Sequence, residues 1–205
     1  MAAYLLQQYR RLRYGPPIVV VSGLPRSGTS MVMKMLEAGG IPVVMDGIRT
    51  ADVDNPKGYY EDERVKNLAK DPDKSWLAAS RGRAIKIISY LLRELPRNYN
   101  FDVLFIRRDL SEVLASQSKM LSRRGETSDT TDERMVELYE SDLWKVNYLM
   151  KHASHIRALD IHYRQILENS RTEAERINAF LGGKLDVDKM VEVVDPALYR
   201  NRAGN

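Results

Sequence analysis

The 205-residue chain carries 32 Lys and Arg against 28 Asp and Glu, a formal net charge of +4, and 43% of its residues are hydrophobic. This is the length of one domain with enough apolar side chain for a core. Interspersed charges of both signs exclude a low-complexity tail protein, and the lack of cysteine excludes disulfide staples, thiolate zinc sites and a cysteine nucleophile.

No apolar run approaches the roughly 20 residues that span a bilayer. The N-terminal MAAYLLQQYRRLRYGPP has no secretory h-region, so the expectation is a cytoplasmic protein without a membrane partner. With no repeat or linker, residues 1–205 are expected to form one domain, with 1–16 an N-terminal extension and 184–205 a C-terminal tail.

Ile18 to Ser22 reads as a buried strand. After the turn Gly23 to Gly28, a helix is expected to run to about Ala38, ended by Gly39-Gly40, with a further short strand near Ile41 to Met45. Asp46 to Tyr60 is rich in Asp, Gly, Asn and Pro and reads as a long loop. Ala84 to Ile88 and Val103 to Ile106 read as buried strands, and between them Tyr90 to Leu95 fits a short helical stretch stopped by Pro96. Asp109 precedes Glu112 by three residues, as in a capping box, and Leu110, Val113, Leu114 and Leu121 give the next helix its apolar face.

Gly125 to Thr131 is a polar loop. The strongest helical pattern follows, with Met135, Tyr139, Leu143, Val146 and Met150 at spacings of 4, 4, 3 and 4. Ile156 to Ile161 is a last strand, and Thr172 to Leu181 a closing helix capped by Gly182-Gly183. Strands separated by helices predict an α/β three-layer sandwich with a mostly parallel sheet of four or five strands, helices on both faces, and ligands at the carboxyl ends of the strands.

The first strand runs into GLPRSGTS, Gly23 to Ser30, and then into an apolar helix. Glycines let backbone approach an anion, and the free N–H groups of a helix start point at it, so this is a phosphate cradle of the P-loop type. Against GxxxxGK[ST], Thr29 stands where the lysine that reaches the β- and γ-phosphates belongs, and Arg26 is the loop's only cation. PRSGTS resembles the 5′-phosphosulfate loop of the sulfotransferase family, P-[KR]-[SAT]-G-T-[ST]. The resemblance implies that Arg26, Ser27, Gly28, Thr29 and Ser30 hold the 5′-phosphate of 3′-phosphoadenosine 5′-phosphosulfate (PAPS). Met31 stands where many cytosolic members have a Trp on adenine.

VLFIRRDLSEVLASQ is similar to the family's 3′-phosphate motif, a strand ending in Arg with Ser eight residues later, which Arg108 and Ser116 satisfy. By geometry alone, Arg108 falls at a strand's carboxyl end, and Ser116 lies about 120° off the apolar stripe of its helix, free to face a ligand. DIHYRQILENSRTEAERINAFLGG resembles the YEDL…FLG segment, which implies an adenine contact for Tyr163. Arg200 and Arg202 are candidates for the role of the missing C-terminal RKG-type loop, beside the alternative of a solvated basic tail. DNPKGYYED looks like the NPxGxxE loop of small bacterial members.

The cytosolic family's Lys-Thr-His triplet corresponds to Lys86-Ile87-Ile88, which removes the usual histidine base. Glu61 is the candidate replacement, with a helix-start carboxylate as the competing reading. Lys86 is expected to assist electrostatically or to snorkel from the sheet edge, and Arg26 to meet the leaving phosphate. His152, His155 and His162 are assigned structural or surface positions.

The resulting expectation is sulfuryl transfer from PAPS to a hydroxyl or amine of a small-molecule or glycan acceptor, with 3′-phosphoadenosine 5′-phosphate (PAP) as product and no metal. The alternatives are a P-loop kinase or nucleotide triphosphatase, disfavoured by Thr29, and a catalytically silent PAP- or PAPS-binding protein. Nucleic-acid binding is not expected, because the basic clusters Arg10 to Arg13 and Arg123-Arg124 lack interleaved stacking aromatics.

Overall fold

The computed structural model describes residues 2–48, 60–126 and 130–195. In chain order the elements are α1 (Ala2–Tyr14), β1 (Ile18–Gly23), α2 (Thr29–Ala38), α3 (Glu63–Lys66), a 3₁₀ segment (Ser75–Ser80), β2 (Ala84–Lys86) and a second 3₁₀ segment (Ser89–Glu94). Then come β3 (Phe101–Arg107), α4 (Leu110–Arg124), α5 (Asp132–His152), β4 (Ile156–His162), α6 (Tyr163–Glu168), α7 (Ser170–Leu181) and α8 (Val187–Glu192).

The four strands form one sheet in the order β2-β1-β3-β4, and each neighbouring pair is parallel. Helices cover both faces, giving the expected three-layer α/β sandwich. Alternation along the strands divides the core. Val20, Ile85, Val103 and Phe105 pack with Leu91, Leu92 and Val146 on one face. Val19, Val21, Leu104 and Ile106 pack with Val32, Met33 and Leu36 of α2 and Ile177 of α7 on the other. Burial on both faces explains why β1 and β3 read as continuous apolar runs. The edge strand β4 alternates instead, and its Arg157 donates from Nε and Nη2 to Asp102 on β3 at 2.8 and 2.7 Å.

One expectation is corrected and others gain detail. The Ile41 to Met45 strand reduces to an isolated bridge between Val43 and Ala84. The 1–16 extension contains a 13-residue helix, and the 184–205 tail contains α8, whose Met190 is buried in the core. Asp109 caps α4, accepting from the Ser111 N–H at 2.8 Å and from the Glu112 backbone N–H, and the Glu112 carboxylate also pairs with Arg108. Most of the Asp46 to Tyr60 loop lies outside the described residues.

Among the histidines, His155 precedes β4 and is buried edge-on against Phe101, with ring centroids 6.2 Å apart. Burial, then the charges of Arg10 and Arg97, lower its pKa from 6.5 to about 4, against a hydrogen bond with the Leu95 backbone. The fold therefore favours the neutral ring. Its contribution is fully present above pH 6.5 and is lost as pH falls from 6.5 towards 4. The expected loss is up to about 3 kcal/mol, measured as a fall in denaturation midpoint over that window. His155→Asn should flatten it. Asp62, held below its usual 3.8 by Arg64, acts only at lower pH.

Candidate functional site

The informative turns meet at the carboxyl ends of the strands. β1 delivers the chain at Gly23, where a Cβ would lie 2.5 Å from Ser27 Oγ and 2.8 Å from the Ile106 carbonyl oxygen, so the loop can fold this tightly only on glycine. Ser27 is buried, and its hydroxyl has no hydrogen-bond partner among the described residues. Thr29 and Ser30 open α2. Gly28 is the N-cap in the left-handed region, φ 104°, and a Cβ there would sit 2.4 Å from the Tyr163 ring. Arg26 itself adopts φ 65°, an uncommon conformation for a residue with a side chain. Its strain is of the kind that concentrates at ligand-binding turns.

Arg108 follows the last residue of β3, Ser116 lies on α4, and Tyr163 is the first residue of α6, directly after β4. Arg26 Nε donates to Ser116 Oγ at 3.1 Å, and Arg108 Nη1 donates to the Arg26 carbonyl oxygen at 3.0 Å. The Arg108 guanidinium lies 4.3 Å from the centroid of the Tyr163 ring, and its Nε donates to Glu112 at 2.9 Å. Three loops, after β1, β3 and β4, thus form one junction.

Ser116 is buried against Arg26, on the side of its helix that the sequence reading turned towards a ligand. Burial raises the pKa of the Tyr163 hydroxyl, with the charge of Arg108 opposing, so the phenol stays neutral. The pairing of Glu112 with Arg108 is the contact that sequence reading missed. Its signal was present, because Arg108, just before the N-cap Asp109, stands four residues ahead of Glu112 on the first turn of the helix.

One strand away from the loop, Lys86 ends β2, and its Nζ donates to Glu61 Oε1 at 3.1 Å. Val21 pairs with Lys86 in the β1–β2 register, which places this ion pair beside the start of the phosphate loop. Glu61 is held by its surroundings. Its carbonyl oxygen accepts from Asp46 N at 3.1 Å, and the preceding Tyr60, at φ 52°, donates its hydroxyl to Glu37 of α2 at 2.8 Å. Desolvation, reinforced by Glu37, raises the pKa of Tyr60 far above its ordinary value, so its proton remains on the phenol.

Glu61 precedes α3 by two residues, and the N-cap of that helix is Asp62, so Glu61 is not the helix-start carboxylate. His162 is exposed at the end of β4, and His152 bonds the Tyr148 carbonyl through Nδ1. Arg200 and Arg202 lie outside the described residues. Among the described residues no group of three or more His, Asp or Glu side chains could hold a metal.

No family model and no curated protein matches the chain. Solved structures do. The sulfotransferase domain from the curacin biosynthetic pathway superposes with a TM-score of 0.53 at 13% identity, over 88% of this chain and 78% of that one. Mouse sulfotransferase SULT7A1, solved with PAP, superposes with a TM-score of 0.53 at 17% identity, over 90% of this chain and 67% of the mouse chain. At such identities the likeness is one of fold. The chain has the architecture of sulfotransferase domains.

Proposed function

We propose that the chain transfers a sulfuryl group from PAPS to a hydroxyl or amine of a small-molecule or glycan acceptor. The observation that carries this reading is the junction of Arg26, Ser116, Arg108 and Tyr163 around Gly28, where two separately recognised anion motifs come together. The residues present fit the nucleotide. Ser27 offers a buried hydroxyl whose hydrogen-bonding capacity a phosphate oxygen would satisfy, and the first N–H groups of α2 point from the same loop.

In this reading Arg26, Ser27, Gly28, Thr29 and Ser30 hold the 5′ end, while Arg108 and Ser116 hold the 3′-phosphate. Tyr163 lies beside the nucleoside. The Arg108–Glu112 pair fixes the guanidinium by a charge-assisted bond before any ligand arrives, which reduces the ordering cost of binding.

The acceptor oxygen or nitrogen forms a bond to sulfur as the bond from sulfur to the 5′-phosphate oxygen breaks. The acceptor proton passes to the Glu61 carboxylate, and the negative charge of departing PAP falls on Arg26 and the loop N–H groups. Lys86 orients Glu61 and adds positive charge near the transferring group. No metal takes part in this proposal.

Calorimetric titration tests the nucleotide half. PAP is expected to bind without magnesium and at least about tenfold more tightly than adenosine 5′-phosphate, the contribution of one charge-assisted phosphate contact. Preference for ATP with magnesium would replace this reading with a P-loop kinase or triphosphatase. PAP binding without turnover across an acceptor panel of phenols, alcohols, amines and sugars would leave a silent binding protein.

A further inference from the structure

Helix α1 is mounted with its polar side inward. Arg10 is only 9% exposed, and its guanidinium donates to Asn100 Oδ1 at 3.1 Å and to the carbonyls of Arg97 and Tyr99 at 2.7 and 2.9 Å. Asn100 Nδ2 answers with donations to the carbonyls of Arg10 and Gly15 at 3.0 and 2.8 Å. This lock fixes α1 against the amino-terminal end of β3. The apolar side chains face the other way. Leu5, Tyr9 and Leu12 are 61%, 59% and 89% exposed, and their spacing of four and three residues aligns them in one stripe away from Arg10. A folded chain that buries an arginine while exposing leucines on the same helix leaves a surface built to be covered.

The charge at this end of the molecule identifies what covers the stripe. α1 contains three arginines and no acidic residue. Arg11 and Arg13 are exposed, and so are Arg81, which donates to the Tyr14 carbonyl at 3.0 Å, and Arg97, whose own carbonyl receives Arg10. Among the described residues, none of these four forms an ion pair with a carboxylate. A second copy seated on the stripe would set these arginines against their own counterparts, which like charge opposes.

We infer that α1 docks the protein on an anionic phospholipid surface. The stripe of Leu5, Tyr9 and Leu12 enters the boundary between headgroups and acyl chains, Arg13 on its flank meets the lipid phosphates and carboxylates, and Arg11, Arg81 and Arg97 add positive charge at the same end of the molecule. This revises the expectation of no membrane partner, which rested on spanning length. No described helix is long and apolar enough to cross a membrane, and an interfacial helix needs no such length. Because α1 enters β1 at the amino-terminal ends of the strands, the turns bearing Arg26 and Arg108, at the opposite ends, face the aqueous phase.

Flotation of the full chain with vesicles tests the inference. The chain is expected to float with phosphatidylcholine vesicles containing about 30% phosphatidylserine, to stay behind with pure phosphatidylcholine, and to be released by high salt. Leu12→Glu should lower partition by at least about tenfold, and Arg13→Gln by about fivefold, with thermal midpoints unchanged because both side chains are exposed. Failure to float with the anionic vesicles overturns the inference, as does equal flotation with neutral ones. A dimer in sedimentation equilibrium that Leu12→Glu dissociates would also overturn it, in favour of self-association. None of these readouts depends on nucleotide binding or sulfuryl transfer.

Discussion

Arg108→Ala is expected to lower the thermal midpoint by about 10 °C, because removing one partner of a buried ion pair costs about 3–5 kcal/mol. Both side chains of the Arg108–Glu112 pair are nearly excluded from solvent. The substitution also removes the donor to the Arg26 carbonyl and the cation stacked on Tyr163, so the loop after β1 loses its tie to the loop after β3. The double variant Arg108→Ala/Glu112→Leu removes the stranded charge and should recover at least half of the lost midpoint. If the single change leaves the midpoint unaltered, the pair does not stabilise the junction. Nucleotide binding is separable from this. In the recovered double variant, PAP affinity should remain down by roughly ten- to hundredfold, the worth of a charge-assisted bond to phosphate. Affinity restored together with stability would remove Arg108 from the phosphate site.

The layers of the fold were legible because its strands are buried on both faces. Continuous apolar runs such as Ile18 to Val21 and Val103 to Ile106 have no amphipathic alternation to confuse, and glycines mark the helix ends at Gly39, Gly125 and Gly182. The turns carrying Arg26, Arg108 and Tyr163 were legible for a local reason, since each directly follows a strand or its closing residue. What the sequence hid depends on tertiary contact. Nothing in the pattern of α1 says that Arg10 rather than Leu12 faces inward, because its partners, Asn100 and the Tyr99 carbonyl, lie 90 and 89 residues away. Glu112 was read as a local cap because the capping spacing and the pairing spacing coincide on that turn. Only the direction of the Arg108 side chain reveals the pairing. Helical phase sets Ser116 off the apolar stripe and free for a ligand, but it does not report the polar partner that Arg26 supplies from another loop.

Glu61→Gln is expected to reduce turnover by about 10²–10⁴-fold, the contribution of a positioned general base, while leaving PAP affinity within about twofold of wild type. The amide retains the size of the carboxylate, and its oxygen can still accept from Lys86 Nζ, so the geometry at the end of β2 is preserved and only the proton acceptor is lost. The pairing with Lys86 orients the carboxylate, and the anchoring of Tyr60 to Glu37 fixes the backbone from which Glu61 projects. Turnover is read as PAP formed with phenol, alcohol and amine acceptors. Lys86→Met should lower the rate less, because it removes the orienting cation and leaves the base. Equal turnover in Glu61→Gln would exclude Glu61 from proton transfer. A loss of PAP affinity matching the loss of rate would make the Glu61–Lys86 pair a support of the phosphate loop, which its place beside Val21 in the sheet register also permits.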